Sequence, residues 1–188
     1  MQNVFFISDT HFGHKNICNF TKDDGGKLRP WNDVLEMDEA LVENWNSVVK
    51  PSDKVYHLGD VCLGKKHLEI LSRLNGKKVL IRGNHDIFEA KEYMKYFRDI
   101  RGVHVMNGMI LSHIPIHDGS LERFSINVHG HLHSNRVIKD GVIDARYYSV
   151  CVEQIGFTPI ELGVLRENIK LQGGSDSLKT RESVYGSC

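Results

Sequence analysis

Short apolar runs and helix-spaced apolar stripes alternate along the first half of the chain. Val4 to Ser8 reads as a buried strand, and the polar stretch Asp9-Thr10-His11-Phe12-Gly13-His14 follows it without a gap. After a loop broken by Gly25-Gly26 and Arg29-Pro30, the residues Val34, Met37, Leu41, Trp45 and Val48 recur three and four apart. That spacing predicts an amphipathic helix over 35–49. A strand over 54–58 closes on Gly59-Asp60, and Leu68, Leu71 and Leu74 mark a second helix over 65–74, ended by Asn75-Gly76. A third strand, 78–81, runs into Arg82-Gly83-Asn84-His85-Asp86, where Gly83 lets the backbone turn sharply. A third helix is expected over 88–97.

The pattern then shifts to period two. Segments 103–106 and 109–112 flank Asn107-Gly108, a strong hairpin signal, and His113 follows the second of them. A strand over 125–128 leads to His129-Gly130-His131-Leu132-His133, a second hairpin turns at Asp140-Gly141, and a last strand covers 147–153. Thr158-Pro159-Ile160-Glu161 has the form of a capping box and predicts a helix from there. From Gln172 onward the Gly- and Ser-rich sequence predicts a flexible tail, leaving a single domain over 1–171. The order βαβαβα, then mostly β, then a helix, suggests two sheets packed face to face with helices outside.

Bulk properties narrow the classes. Zero formal net charge in 188 residues argues against a broad basic face for duplex nucleic acid, and no apolar run approaches a membrane span. Cys18, Cys62, Cys151 and Cys188 form no C-x-x-C pair and read as reduced thiols, so a cytoplasmic setting is expected. Of 11 histidines, several stand directly after strands. Asp9 and His11 follow the first strand, Asp60 the second, Asn84 and His85 the third, His113 the hairpin, and His131 and His133 the next.

Each signal alone has a plain alternative: Asp60 suits a helix N-cap and Asn84 a turn. Taken together, these oxygens and neutral imidazoles at one rim suit borderline divalent ions: Mn, Fe, Zn, Co or Ni. They are too many for one ion and enough for two if one carboxylate bridges. Such pairs act on phosphate esters. His14, Lys15 and Arg82 are candidate phosphate contacts. His57, His129 and His117 read as supporting or rim groups, and His67 and His104 as structural.

Asp9-x-His11, Gly59-Asp60, Gly83-Asn84-His85-Asp86, His113 and Gly130-His131-x-His133 resemble the motifs of the calcineurin-like metallophosphoesterases. The resemblance implies a four-layer α/β/β/α sandwich of two mixed sheets. It implies one metal on Asp9, His11, Asp60 and His133, and a second on Asp60, Asn84, His113 and His131, with manganese the favoured ion. It casts His85 as the general acid, with Asp86 orienting it, while a hydroxide shared by the metals attacks phosphorus in line. After Asp60 the Asp-Arg pair of the protein Ser/Thr phosphatases is missing, and the third motif ends in Asp86. No tyrosine stands where purple acid phosphatases supply a ligand. The closer likeness is to small bacterial and phage-encoded phosphoesterases, hence a bacterial or host cytoplasm. The expected substrates are small phosphodiesters, cyclic nucleotides among them, or phosphomonoesters. A non-catalytic scaffold on the same fold and a nuclease acting on single-stranded ends are the alternatives.

Overall fold

A computed structural model describes residues 2–175. Strands β1 (Val4–Ile7), β2 (Lys54–His57), β3 (Lys77–Ile81) and β4 (Asp99–Arg101) run parallel, and β11 (Ile160–Glu161) adds antiparallel beside β1. The sheet order is β11-β1-β2-β3-β4. The second sheet has the order β10-β7-β6-β5, from β5 (Val103–Met106), β6 (Met109–Ser112), β7 (Ile126–His129) and β10 (Tyr147–Ser149). A separate ribbon pairs β8 (Ile138–Lys139) with β9 (Val142–Ile143).

Strand alternation sorts the core. Phe5, Ile7, Val55 and Leu80 face outward against Met37, Leu41 and Trp45 of α1 (Val34–Val48). Their neighbours Phe6, Tyr56, Val79 and Ile81 face inward against Leu111, Ile126 and Val128 of the second sheet. Two mixed sheets with helical elements outside give the expected sandwich. Its fourth layer is thin: a 3₁₀ turn over Asp118–Arg123 lays Leu121 against Ile110 and Tyr147.

Several elements differ from expectation. Residues Lys65–Arg73 form a 3₁₀ helix, not an α-helix. Leu68, Leu71 and Leu74, all buried, are spaced strictly by three, which matches three residues per turn. The third helix shrinks to α2 (Ala90–Tyr93). Arg82 holds the carbonyls of Asp86 and Phe88, so the chain before Ala90 stays a loop. The capping box does not form. Ile160 and Glu161 pair with β1, and α3 (Leu162–Leu171) starts later, with the Glu161 carboxylate accepting from Gly163 N–H. The Asp-Ile-Arg of β4 carried too little apolar pattern to be read as a strand.

Asn107-Gly108 and Asp140-Gly141 turn their hairpins with all four φ angles positive. Gln172, at the start of the expected tail, donates to the carbonyls of Ala145 and Tyr147. The rest of that tail from 176, with Cys188, lies outside the described residues. Cys18, Cys62 and Cys151 are free and buried. Among the described residues no helix is long and apolar enough to cross a membrane.

Candidate metal centre

The parallel strands deliver their C-terminal ends to one edge, where the two sheets are stitched together. Ser8, just past β1, pairs with Cys151, just past β10, and Phe12 pairs with Cys62. Gly130 N–H donates to the His113 carbonyl across the second sheet. The turns that follow are tight. Asp9, His11, Asp60, His131 and His133 all have left-handed backbone, with φ of 58°, 48°, 56°, 71° and 49°. Asp and His tolerate that region better than most residues, yet it still costs on the order of 1–3 kcal/mol each. Outside the site, non-glycine residues adopt it at the two hairpin tips and at Phe157. Gly83 is demanded by close approach: a Cβ there would lie 2.3 Å from Asp60 Oδ1, and one at Gly130 would lie 2.5 Å from Asp9 Oδ2.

These turns assemble two groups whose ligand atoms converge: Asp9, His11 and His133, and Asp60, His113 and His131. Asp60 Oδ2 faces both. It lies 3.6 Å from His11 Nε2 and 3.3 Å from His113 Nε2, while Oδ1 accepts from the His85 backbone N–H at 2.8 Å. Asn84 Oδ1 joins the second group, 2.9 Å from His113 Nε2. His113 Nδ1 donates to the Leu58 carbonyl at 2.7 Å, which leaves Nε2 to face two oxygens. In the first group Asp9 Oδ2 accepts from His131 N–H and from the Cys151 thiol. Asp9 Oδ1 and both ring nitrogens of His11 are buried without a hydrogen-bond partner among the described residues.

A buried carboxylate oxygen and imidazole left unpaired are costly, and a cation between them removes the cost. The donor set, all oxygen and imidazole nitrogen, fits a pair of borderline divalent ions. Burial raises the Asp9 carboxyl above its usual range and pushes the His11 imidazole well down, with Arg29 adding to the latter. Burial also acts to raise Asp60, but the His113 hydrogen bond and charge, the His85 N–H and His11 outweigh it and hold it at about 2.

His85 belongs to neither group. Its exposed ring lies 5.6 Å from that of His11, centroid to centroid. Among the described residues no hydrogen bond joins that ring to Asp86. The Asp86 carboxylate is buried and takes the N–H groups of Asp60, Val61 and Gly83 at 2.8–3.0 Å, so it holds the Asp60 turn instead. Arg82, exposed, spends Nε and Nη2 on the carbonyls of Asp86 and Phe88. His14 stands edge-on to His11 at 5.6 Å and accepts the Ile17 N–H on Nδ1. Lys15 opens the 3₁₀ turn Lys15–Asn19 and is exposed.

His57, buried and pushed down to about 3 by burial, bonds Thr10 Oγ1 and ties the first turn to the second. His129 bonds the Gly130 carbonyl from beneath the His131 turn. His104 bonds Tyr56 and Arg101, and His67 packs over Gly13, both structural as read. His117 is neither supporting nor rim: it caps the Asp118–Arg123 turn on the surface, facing Asp118.

Sequence reasoning missed Arg29 and Glu153. Arg29 sat in a loop judged polar, with nothing to mark it as buried. Glu153 closed an expected strand, the same signal that found the ligands.

Two adjacent groups of carboxylate and imidazole donors, with Asp60 Oδ2 near nitrogens of both, lie at the strand ends of a two-sheet sandwich and could hold divalent ions. The chain belongs to the calcineurin-like phosphoesterases, whose family model matches residues 3–172. It is 38% identical over 173 residues to an uncharacterised protein of Methanocaldococcus jannaschii, covering 88% of this chain and 90% of that one. The Gene 66 protein of Mycobacterium phage D29 is 30% identical over 186 residues, 80% of this chain and 87% of its own. A solved protein of unknown function from Aquifex aeolicus superposes with a TM-score of 0.64 at 28% identity, over 91% of this chain and all of that one.

Proposed function

We propose that the protein hydrolyses small phosphate esters, phosphodiesters in preference to phosphomonoesters, with two divalent metal ions. Manganese is the ion of first choice. The observation that carries this reading is Asp60 Oδ2, a single carboxylate oxygen within 3.6 Å of imidazole nitrogens from both ligand groups. Asp9, His11, Asp60 and His133 would hold one ion, and Asp60, Asn84, His113 and His131 the other. When bound, such a pair polarises phosphoryl oxygens and lowers the pKa of water for in-line attack. The chain's own residues would do the rest. His85, anchored by its backbone on Asp60 and with its ring exposed, would give a proton to the leaving oxygen.

A recess of about 560 Å³ adjoins His131 and His133 and is walled by Phe20, Thr21, Lys22 and Asn135. That volume suits a small organic ester group. Phe20 is 47% exposed and meets the His14 ring edge-on at 5.7 Å, so its remaining surface is free to pack against an aromatic substituent. Phe20→Ala is expected to raise KM for aryl or nucleoside esters by roughly tenfold, with kcat little changed. Steady-state kinetics on paired aryl and methyl esters checks this; an equal effect on both would remove Phe20 from the substrate site.

The reading as a whole is tested by turnover of mono-, di- and cyclic phosphoesters by metal-stripped protein reloaded with Mn, Ni, Zn or Mg. Hydrolysis of a nitrophenyl phosphodiester that appears with Mn²⁺ and vanishes with chelator is expected. Absence of hydrolysis with every ion would favour a non-catalytic role.

A further inference from the structure

We propose that Arg29 and Glu153 form a buried brace that acts directly on one ligand group, Asp9–His11–His133, and not on the other. The inference rests on the two-metal reading above. Arg29 is fully buried, an unusual place for a guanidinium. Its Nη1 donates to the Thr10 carbonyl at 2.9 Å and its Nη2 to the Asp9 carbonyl at 2.5 Å. Nε and Nη2 both reach Glu153 Oε1, at 2.9 and 2.8 Å. The same Oε1 lies 3.0 Å from His133 Nδ1.

Arg29 therefore touches both halves of the group. Asp9 and His11 flank a turn whose left-handed backbone directs peptide carbonyls into the interior, and the guanidinium supplies the donors they need. Through Glu153 it also reaches the loop that carries His133. An imidazole that donates Nδ1–H to a carboxylate keeps Nε2 as its lone-pair nitrogen and has its ring direction fixed. Glu153 has a second duty. It offsets the guanidinium charge beside a position meant for a cation. Removing it would leave Arg29 buried, uncompensated and repelling the ion.

The second group is braced by other means. His113 is set by the Leu58 carbonyl, and the Asp60 turn by the three N–H groups on Asp86. None of these bonds involves Arg29 or Glu153. The two groups also meet at Asp60, in the His131 N–H bond to Asp9 Oδ2 and in the His57–Thr10 bond, but no bond from Arg29 or Glu153 reaches Asp60, Asn84, His113 or His131.

The test is titration of metal-free protein with Mn²⁺, read as bound equivalents and affinities. Wild type is expected to bind two equivalents. Glu153→Gln, nearly isosteric, is expected to bind one as wild type does and the second about 10–100-fold more weakly. Imidazole ¹⁵N shifts of the metal-free variant are expected to change at His133 and not at His113, a selectivity that general loosening would not produce. Should Glu153→Gln fail to fold, Arg29→Lys, which keeps the charge, is measured the same way with the same expectation. Equal weakening of both equivalents, or of neither, overturns the brace. Fewer than two equivalents in wild type would instead overturn the two-metal reading on which it rests.

Discussion

Asp60→Ala is expected to lose both metal ions and all measurable turnover while remaining folded. Asp60 offers one oxygen to both ligand groups, 3.6 Å from His11 Nε2 and 3.3 Å from His113 Nε2. Held at about 2, it is an anion at any physiological pH. Loss of a partner outside the ligand set costs about 10–100-fold in metal affinity. Loss of a shared anionic ligand is expected to exceed that at both positions. The local structure should survive, because the N–H groups of residues 60, 61 and 83 still find the Asp86 carboxylate. The His85 N–H loses its acceptor, a modest cost.

The metal-free proteins carry a pH signature as well. The folded Asp60 carboxyl lies below its ordinary value of 3.8, so its ionised form stabilises the fold above that value. That contribution fades as pH falls through about 2, so the stability gap between wild type and variant should narrow there. Metal content by mass spectrometry and denaturant unfolding at several pH values check both halves. A variant retaining one tightly bound ion would show that Asp60 serves a single position.

His85→Ala is expected to do the opposite: keep both ions and slow the chemistry. His85 lies in neither ligand group, its ring is exposed, and its bond to Asp60 is made by the backbone, which alanine preserves. Removing a general acid costs about 10²–10⁴-fold in rate. The loss should be largest for alkyl esters, whose leaving oxygen needs the proton, and smallest for nitrophenyl esters, whose leaving group departs as a stable anion. KM should move little. Loss of metal in this variant would reassign His85 to the ligand set.

The candidate ligands were legible because each one stands just after an apolar run. In parallel sheets such runs end at one edge, so the sequence alone puts Asp9, His11, Asp60, Asn84, His113, His131 and His133 together. The division into two groups follows from family likeness; the geometry gathers Asp9 with His11 and His133, and Asp60 with His113 and His131, with Asn84 beside His113. What sequence could not supply was the use of polar groups inside the fold. Asp86 looked like a partner for its neighbour His85, but its oxygens face backbone N–H groups 25 and 26 residues away. Arg82 looked free, yet it closes a loop that also cuts the predicted helix at 88–97 down to Ala90–Tyr93. The Pro159 segment reads as a helix start in isolation. The open edge of β1 claims Ile160 and Glu161 first. Left-handed turns at five site residues carry no local sequence mark, since tertiary pairing imposes them.

Two ions are expected to sit side by side on Asp60. Titrating metal-free protein with Mn²⁺ under electron paramagnetic resonance tests it most directly. Two equivalents are expected to bind, with the isolated-ion signal of the first replaced by a magnetically coupled signal as the second enters. One equivalent, or two that never couple, would contradict the account.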